Sequence, residues 1–87
     1  MLLKFFKMAI VETTGPSSYT IGGFEVEVGD LSVVEHAIVN VGGGYTGEVV
    51  NKDMNKVTIK VYSSAGTEVS AGTDLSSVNV TVVAWGS

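Results

Sequence analysis

The chain is expected to fold as an all-β domain, a small antiparallel β-sandwich or barrel of about five to seven strands. Three observations carry that expectation. The apolar residues are chiefly Val, Ile and Ala, with Thr and Gly common and a single Pro, a mixture that suits pleated surfaces and tight turns. Apolar and polar residues alternate with period two in several short runs, and no segment shows convincing helical periodicity. Gly-, Asn-, Asp- and Ser-rich turns separate those runs at short, regular spacing.

The length of 87 residues bounds the chain to one domain with a thin core. Small domains compensate for a thin core with disulfides, a metal or oligomerisation. There is no cysteine and one histidine, so disulfides are excluded and a zinc site is disfavoured. Oligomerisation is the expected remedy, and no cofactor is expected.

The start, MLLKFFKMAIVETT, divides from the rest. Residues 1–13 read as an N-terminal arm or a start extension holding a possible short strand over Met8–Thr13, and residues 14–87 as a single β domain. Lys7 interrupts the apolar core that a secretory signal requires, and no run approaches the roughly 20 apolar residues of a membrane span, so neither export nor membrane contact is expected. As an arm, MLLKFFK would dock Leu2, Leu3, Phe5 and Phe6 on a neighbour; alternatively Met8 is the true start.

After the loop Thr14–Ser18, Tyr19 and Ile21 lead through Gly22-Gly23 into FEVEV, a half-buried strand with Phe24, Val26 and Val28 inside and Glu25 and Glu27 outside. Gly29–Ser32 is a turn. VVEHAIVNV is apolar on both parities, Val33, Ala37, Val39 and Val41 on one and Val34 and Ile38 on the other, as expected of a central strand or one whose second face meets another subunit. Gly42-Gly43-Gly44 reads as a flexible hairpin turn before Tyr45–Val50, and Asn51–Asn55 as a second hairpin. Val33–Ser63 therefore reads as three consecutive antiparallel strands. The third, Lys56–Tyr62, turns Val57, Ile59 and Val61 inward and its lysines toward Glu48 or Glu25 and Glu27. Ser63–Ser77 is a long loop with a brief strand near Glu68–Val69, and Val78–Trp85 is a final strand with Val78, Val80, Val82 and Ala84 on one face.

The net charge is −4 and there is no arginine. Displacing counterions from phosphates needs a basic stripe, and five lysines in two groups do not provide one, so nucleic-acid binding is not expected. His36 adjoins Glu35, but successive strand residues face opposite ways, so the pair converges on a substrate only if a bulge intervenes. Glu25 and Glu27 stand about 6–7 Å apart, a separation usable by a glycosidase and equally the spacing of any solvated strand face. The triple glycine lacks the following helix and Lys-Ser/Thr of a phosphate loop, and Asp30, Asp53 and Asp74 lack EF-hand spacing. The chain is read as a non-enzyme. Tyr62 and Trp85, if they share an outer face, would form a carbohydrate-binding or subunit-contact patch.

The segments Tyr19–Val26, with its Y-x-x-G-G-F entry, and Gly72–Gly86, with its GTDLS-x-V-x-V-T-V exit, resemble small β-rich virion structural proteins of tailed phages and related viruses, in which a VVxV…GGGY stretch lies at the centre; here Gly42–Tyr45 supplies the GGGY. The similarity spans about residues 14–87. It implies a capsid decoration (cement) protein, or a neck, tail or fibre component, located in the virion, stabilising the capsid without catalysis. The implied state is a homo-oligomer, a trimer, on a major capsid protein or other virion partner. Contacts with partner or subunit are expected at Leu2, Leu3, Phe5, Phe6, Tyr19, Phe24, Val34, Ile38, Tyr62 and Trp85. The alternative is a carbohydrate- or receptor-binding β module of a tail or fibre.

Overall fold

The computed structural model describes residues 7–87. These form six strands: β1 (Lys7–Thr14), β2 (Phe24–Glu27), β3 (Val34–Val41), β4 (Thr46–Asp53), β5 (Lys56–Tyr62) and β6 (Asn79–Gly86). The described residues contain no helix. Two three-stranded antiparallel sheets result, sheet A in the order β1-β6-β3 and sheet B in the order β2-β5-β4, and they do not join into a closed barrel.

Both central strands follow the expected alternation. Val57, Ile59 and Val61 on β5 and Val80, Val82 and Ala84 on β6 are at most 1% exposed, so period-two valines from the two sheets meet in one core. Burying a valine or isoleucine side chain contributes about 1.5–3 kcal/mol, and in a chain without cysteine this shared layer is the main source of cohesion.

Topology departs from the expected run of three consecutive antiparallel strands. Only β4 and β5 form a hairpin; β3 pairs with β6, in the other sheet. Gly42–Tyr45 is therefore a corner between sheets and not a hairpin turn. The Tyr45 amide donates to the Gly42 carbonyl at 3.3 Å, and Gly43 and Gly44 have φ of 69° and 84°, which side-chain-bearing residues adopt only at a cost. The β4–β5 turn is narrower than expected, since β4 runs to Asp53 and pairs it with Lys56, leaving Met54 and Asn55 as the loop. Met54 takes a φ of 57°. The turn is held there by its carbonyls, with Val34 donating to Met54 and Val28 to Asn55, each at 2.7 Å.

A bulge corrects the reading of β3. Val34 pairs with Gly86 and His36 with Trp85, so Glu35 is an extra residue and the facing of the strand switches. Val34 consequently points into the core at 5% exposure while Ile38 points outward at 60%, although their even spacing placed them together. A second bulge at Val50 interrupts β4.

The possible short strand over Met8–Thr13 is present as the eight-residue strand β1, which pairs with β6 without a register shift from Lys7 opposite Gly86 to Thr14 opposite Asn79. Leu2, Leu3, Phe5 and Phe6 lie outside the described residues. The brief strand expected near Glu68 is a single bridge, Tyr62 to Glu68.

Two substitutions test this backbone account by urea denaturation. Met54→Gly removes a left-handed non-glycine residue and is expected to stabilise by up to about 1 kcal/mol after glycine's greater unfolded-state entropy is counted. Gly86→Ala places a methyl group against the Val33 carbonyl oxygen and is expected to destabilise by about 1–3 kcal/mol.

Candidate functional site

The outer faces of the two sheets differ in chemistry. On sheet B, β5 presents Lys56, Thr58, Lys60 and Tyr62 between Glu25 and Glu27 of β2 and Thr46, Glu48, Asn51 and Asp53 of β4. That face is polar and mixed in charge. On sheet A the registers define three cross-strand rows: Met8, Trp85 and His36; Ile10, Val83 and Ile38; Glu12, Thr81 and Asn40. The first two rows carry five apolar side chains and one histidine. Met8, Ile10 and Ile38 are 60%, 58% and 60% exposed, and Trp85 and Val83 are partly exposed between them. Soluble domains often scatter exposed apolar residues singly; here they adjoin one another on a single face.

The expected contact residues divide accordingly. Ile38 and Trp85 lie on the sheet A surface. Tyr62 lies on the outer face of sheet B, so it shares no patch with Trp85, and the aromatic platform expected from the pair does not form. Tyr19 and Val34, 1% and 5% exposed, are core residues and offer no surface to a partner. Phe24 is half-buried beside Tyr19, ring edge to face with centroids 6.5 Å apart. Met8, Ile10 and Val83 were not singled out from the sequence. Their signal was present in the outward positions of β1 and β6, but it required knowing that these strands pair.

The bulge at Glu35 meets the condition for Glu35 and His36 to approach one face, and both are exposed. Neither has a side-chain hydrogen bond or ion pair among the described residues, and no group of three potential metal ligands occurs there. Glu25 and Glu27 stand in solvent opposite Thr58 and Lys56. A shallow depression of about 320 Å³ between Glu12–Thr14 and Asn79–Thr81 carries one carboxylate and no basic group.

The most connected polar cluster surrounds Tyr19. Its hydroxyl donates to Glu68 Oε2 at 2.7 Å and accepts from the Val61 amide at 3.2 Å, while the Gly22 amide donates to the same Glu68 oxygen at 2.8 Å. Lys60 pairs with Glu68 Oε1 at 3.8 Å, not with the cross-strand Glu48 or with Glu25 or Glu27. Glu48 instead accepts from the Tyr62 hydroxyl at 2.8 Å. Burial pushes the Tyr19 phenol up to about 12, partly opposed by the Val61 amide. The Gly22 amide, then the Tyr19 hydroxyl, holds the Glu68 carboxyl below its ordinary value. The Glu48 bond raises the Tyr62 phenol. These groups join two loops and face no cleft, so they pin the structure.

The cluster predicts the pH limits of stability. A depressed carboxyl adds stability above its ordinary value, 4.5 for Glu68, that is lost as pH falls through the lower folded value. A raised phenol adds stability below its ordinary value of 10.0 that is lost as pH rises, for Tyr19 through about 12. In urea titrations across pH, Glu68→Gln is expected to flatten the acid limb and Tyr19→Phe the alkaline limb. At neutral pH Tyr19→Phe is expected to cost about 1–3 kcal/mol by leaving the Val61 amide unpaired.

No family model matches the chain, and no match is found among curated proteins or solved structures.

Proposed function

We propose that this chain is a non-catalytic structural protein that acts by self-association, and that its β-sandwich serves as a decoration protein on a viral shell. The observation that carries the assembly part is the apolar outer face of sheet A, set against the charged outer face of sheet B. A small β domain without disulfides gains from covering such a face. The viral part rests on the resemblance of Tyr19–Val26 and Gly72–Gly86 to tailed-phage virion proteins, which also implies a trimer and a capsid-protein partner. In the fold these two segments lie side by side: Gly72 donates to the Tyr19 carbonyl at 2.8 Å and Tyr19 to Thr73 at 2.9 Å.

Native mass spectrometry or light scattering over a concentration series tests the assembly reading. The expected result is a defined oligomer, and a monomer at every concentration sinks the reading. Ile10→Asp, at a position 58% exposed, is expected to leave the unfolding free energy in urea within about 0.5 kcal/mol of the unsubstituted chain while weakening association at least about tenfold.

A further inference from the structure

The two sheets expose four edges, β1 and β3 in sheet A and β2 and β4 in sheet B. Three of them are blunted. β2 has four residues, two of them glutamates. β3 carries the bulge at Glu35, and its first residue donates to Met54 of the β4–β5 turn. β4 carries the bulge at Val50 and the charges of Glu48, Lys52 and Asp53. Natural sheets protect open edges by these devices: shortness, bulges, charge and cover.

β1 is neither short nor bulged, and nothing among the described residues covers its outer edge. It holds eight residues in unbroken register with β6, and its charges, Lys7 and Glu12, flank the uncharged run Met8–Val11. Among the described residues, the element beside it is β6 alone. Its other edge presents backbone donors and acceptors that another extended strand can satisfy in full.

We propose that β1 pairs antiparallel with β1 of a second copy about a two-fold axis, making one continuous six-stranded sheet of β3-β6-β1 and its mate. A second copy is the occupant that the charges favour. Each chain bears a net charge of −4, yet β1 itself carries one lysine and one glutamate, Lys7 and Glu12, toward opposite ends, so two antiparallel copies bring unlike charges together and approach along this edge with little repulsion. The rows Met8–Trp85 and Ile10–Val83–Ile38 then continue across the junction on one side of the joined sheet. An isologous pairing of this kind closes at two copies, which sets it apart from the trimer implied by the resemblance. The inference deepens the assembly reading and rests on it.

Because the natural chain has no cysteine, a single introduced thiol reports proximity between copies without background. Ile10→Cys and Met8→Cys sit on β1, and Ile38→Cys sits on the outer face of β3. In the paired dimer, thiols on β1 are opposite or diagonal neighbours, within about 8 Å, whereas the two copies of position 38 are five strand spacings apart, about 24 Å. Treating each full-length variant with a bismaleimide linker of about 8 Å is expected to give covalent dimers from at least one β1 position, in yield roughly tenfold above position 38. Hydrogen exchange on the unsubstituted chain is expected to show amides within Met8–Val11 gaining protection as concentration rises. Linking at position 38 as strongly as on β1 would mean stacked faces, and a trimeric mass would exclude the two-fold; either overturns the β1 pairing and leaves the assembly reading standing. An oligomer without linking or protection at β1 also overturns the pairing alone. A chain that stays monomeric at all concentrations overturns both.

Discussion

The hydroxyl of Tyr19 is the point on which two passages between the sheets are fastened to sheet B. The chain passes between sheets four times, and two of those passages, from β1 to β2 and from β5 to β6, run side by side. They are laced by backbone bonds from Gly15 to Val78, from Leu75 to Pro16 and between Tyr19 and Gly72–Thr73. Tyr19 fills the space beneath them, and its one polar atom is satisfied by Glu68 on one side and by the Val61 amide on the other. A phenol buried without those partners would forfeit a large part of what its ring contributes, so the carboxylate is part of the core even though it touches solvent. The opposite end is closed by backbone alone: Ser32 and Val33 donate to Ser87, and Ser87 donates back to Val33.

With both ends fixed, the sheets become rigid plates of unlike chemistry. The alternation Glu25, Glu27 against Lys56, Thr58 and Lys60 gives sheet B a self-compensating charged exterior. Sheet A spends its alternation on apolar residues in both directions, inward at Val80, Val82 and Ala84 and outward at Met8, Ile10, Val83 and Ile38. The second set gains only cross-strand contacts within the isolated fold and leaves much of its apolar surface in water.

The inner faces of β5 and β6 were readable in the sequence because each is a clean period-two run, and so was the acidic exterior of β2. The two-sided apolar character of Val33–Val41 was readable as well, but its facing was not. Parity assigned Val34 and Ile38 to one side, and the extra residue Glu35 separates them. Which strands pair was hidden for a similar reason: Gly42–Gly44 has the composition of a hairpin turn, and composition does not encode the close approach of the two sheets beyond it, where a β-carbon at Gly47 would come within 2.6 Å of a Val41 methyl group. The burial of Tyr19 depends on Glu68, 49 residues away, a relation no local pattern encodes. The apolar face of sheet A is in turn a property of a pairing between strands some 70 residues apart, so it emerges only once β1 is laid beside β6.

That pairing also orders the events of folding. Every hydrogen-bonding partner within sheet B lies between residues 24 and 62, so sheet B can close as soon as that stretch has emerged during synthesis. Neither β1 nor β3 has a strand partner until β6 is made, because β6 stands between them. Through that interval two β-branched segments wait unpaired beside a finished sheet, the condition under which chains aggregate or exchange strands with a neighbour. The residue that breaks each segment, Glu12 in one and Glu35 in the other, is then a guard against premature association as well as a feature of the finished surface.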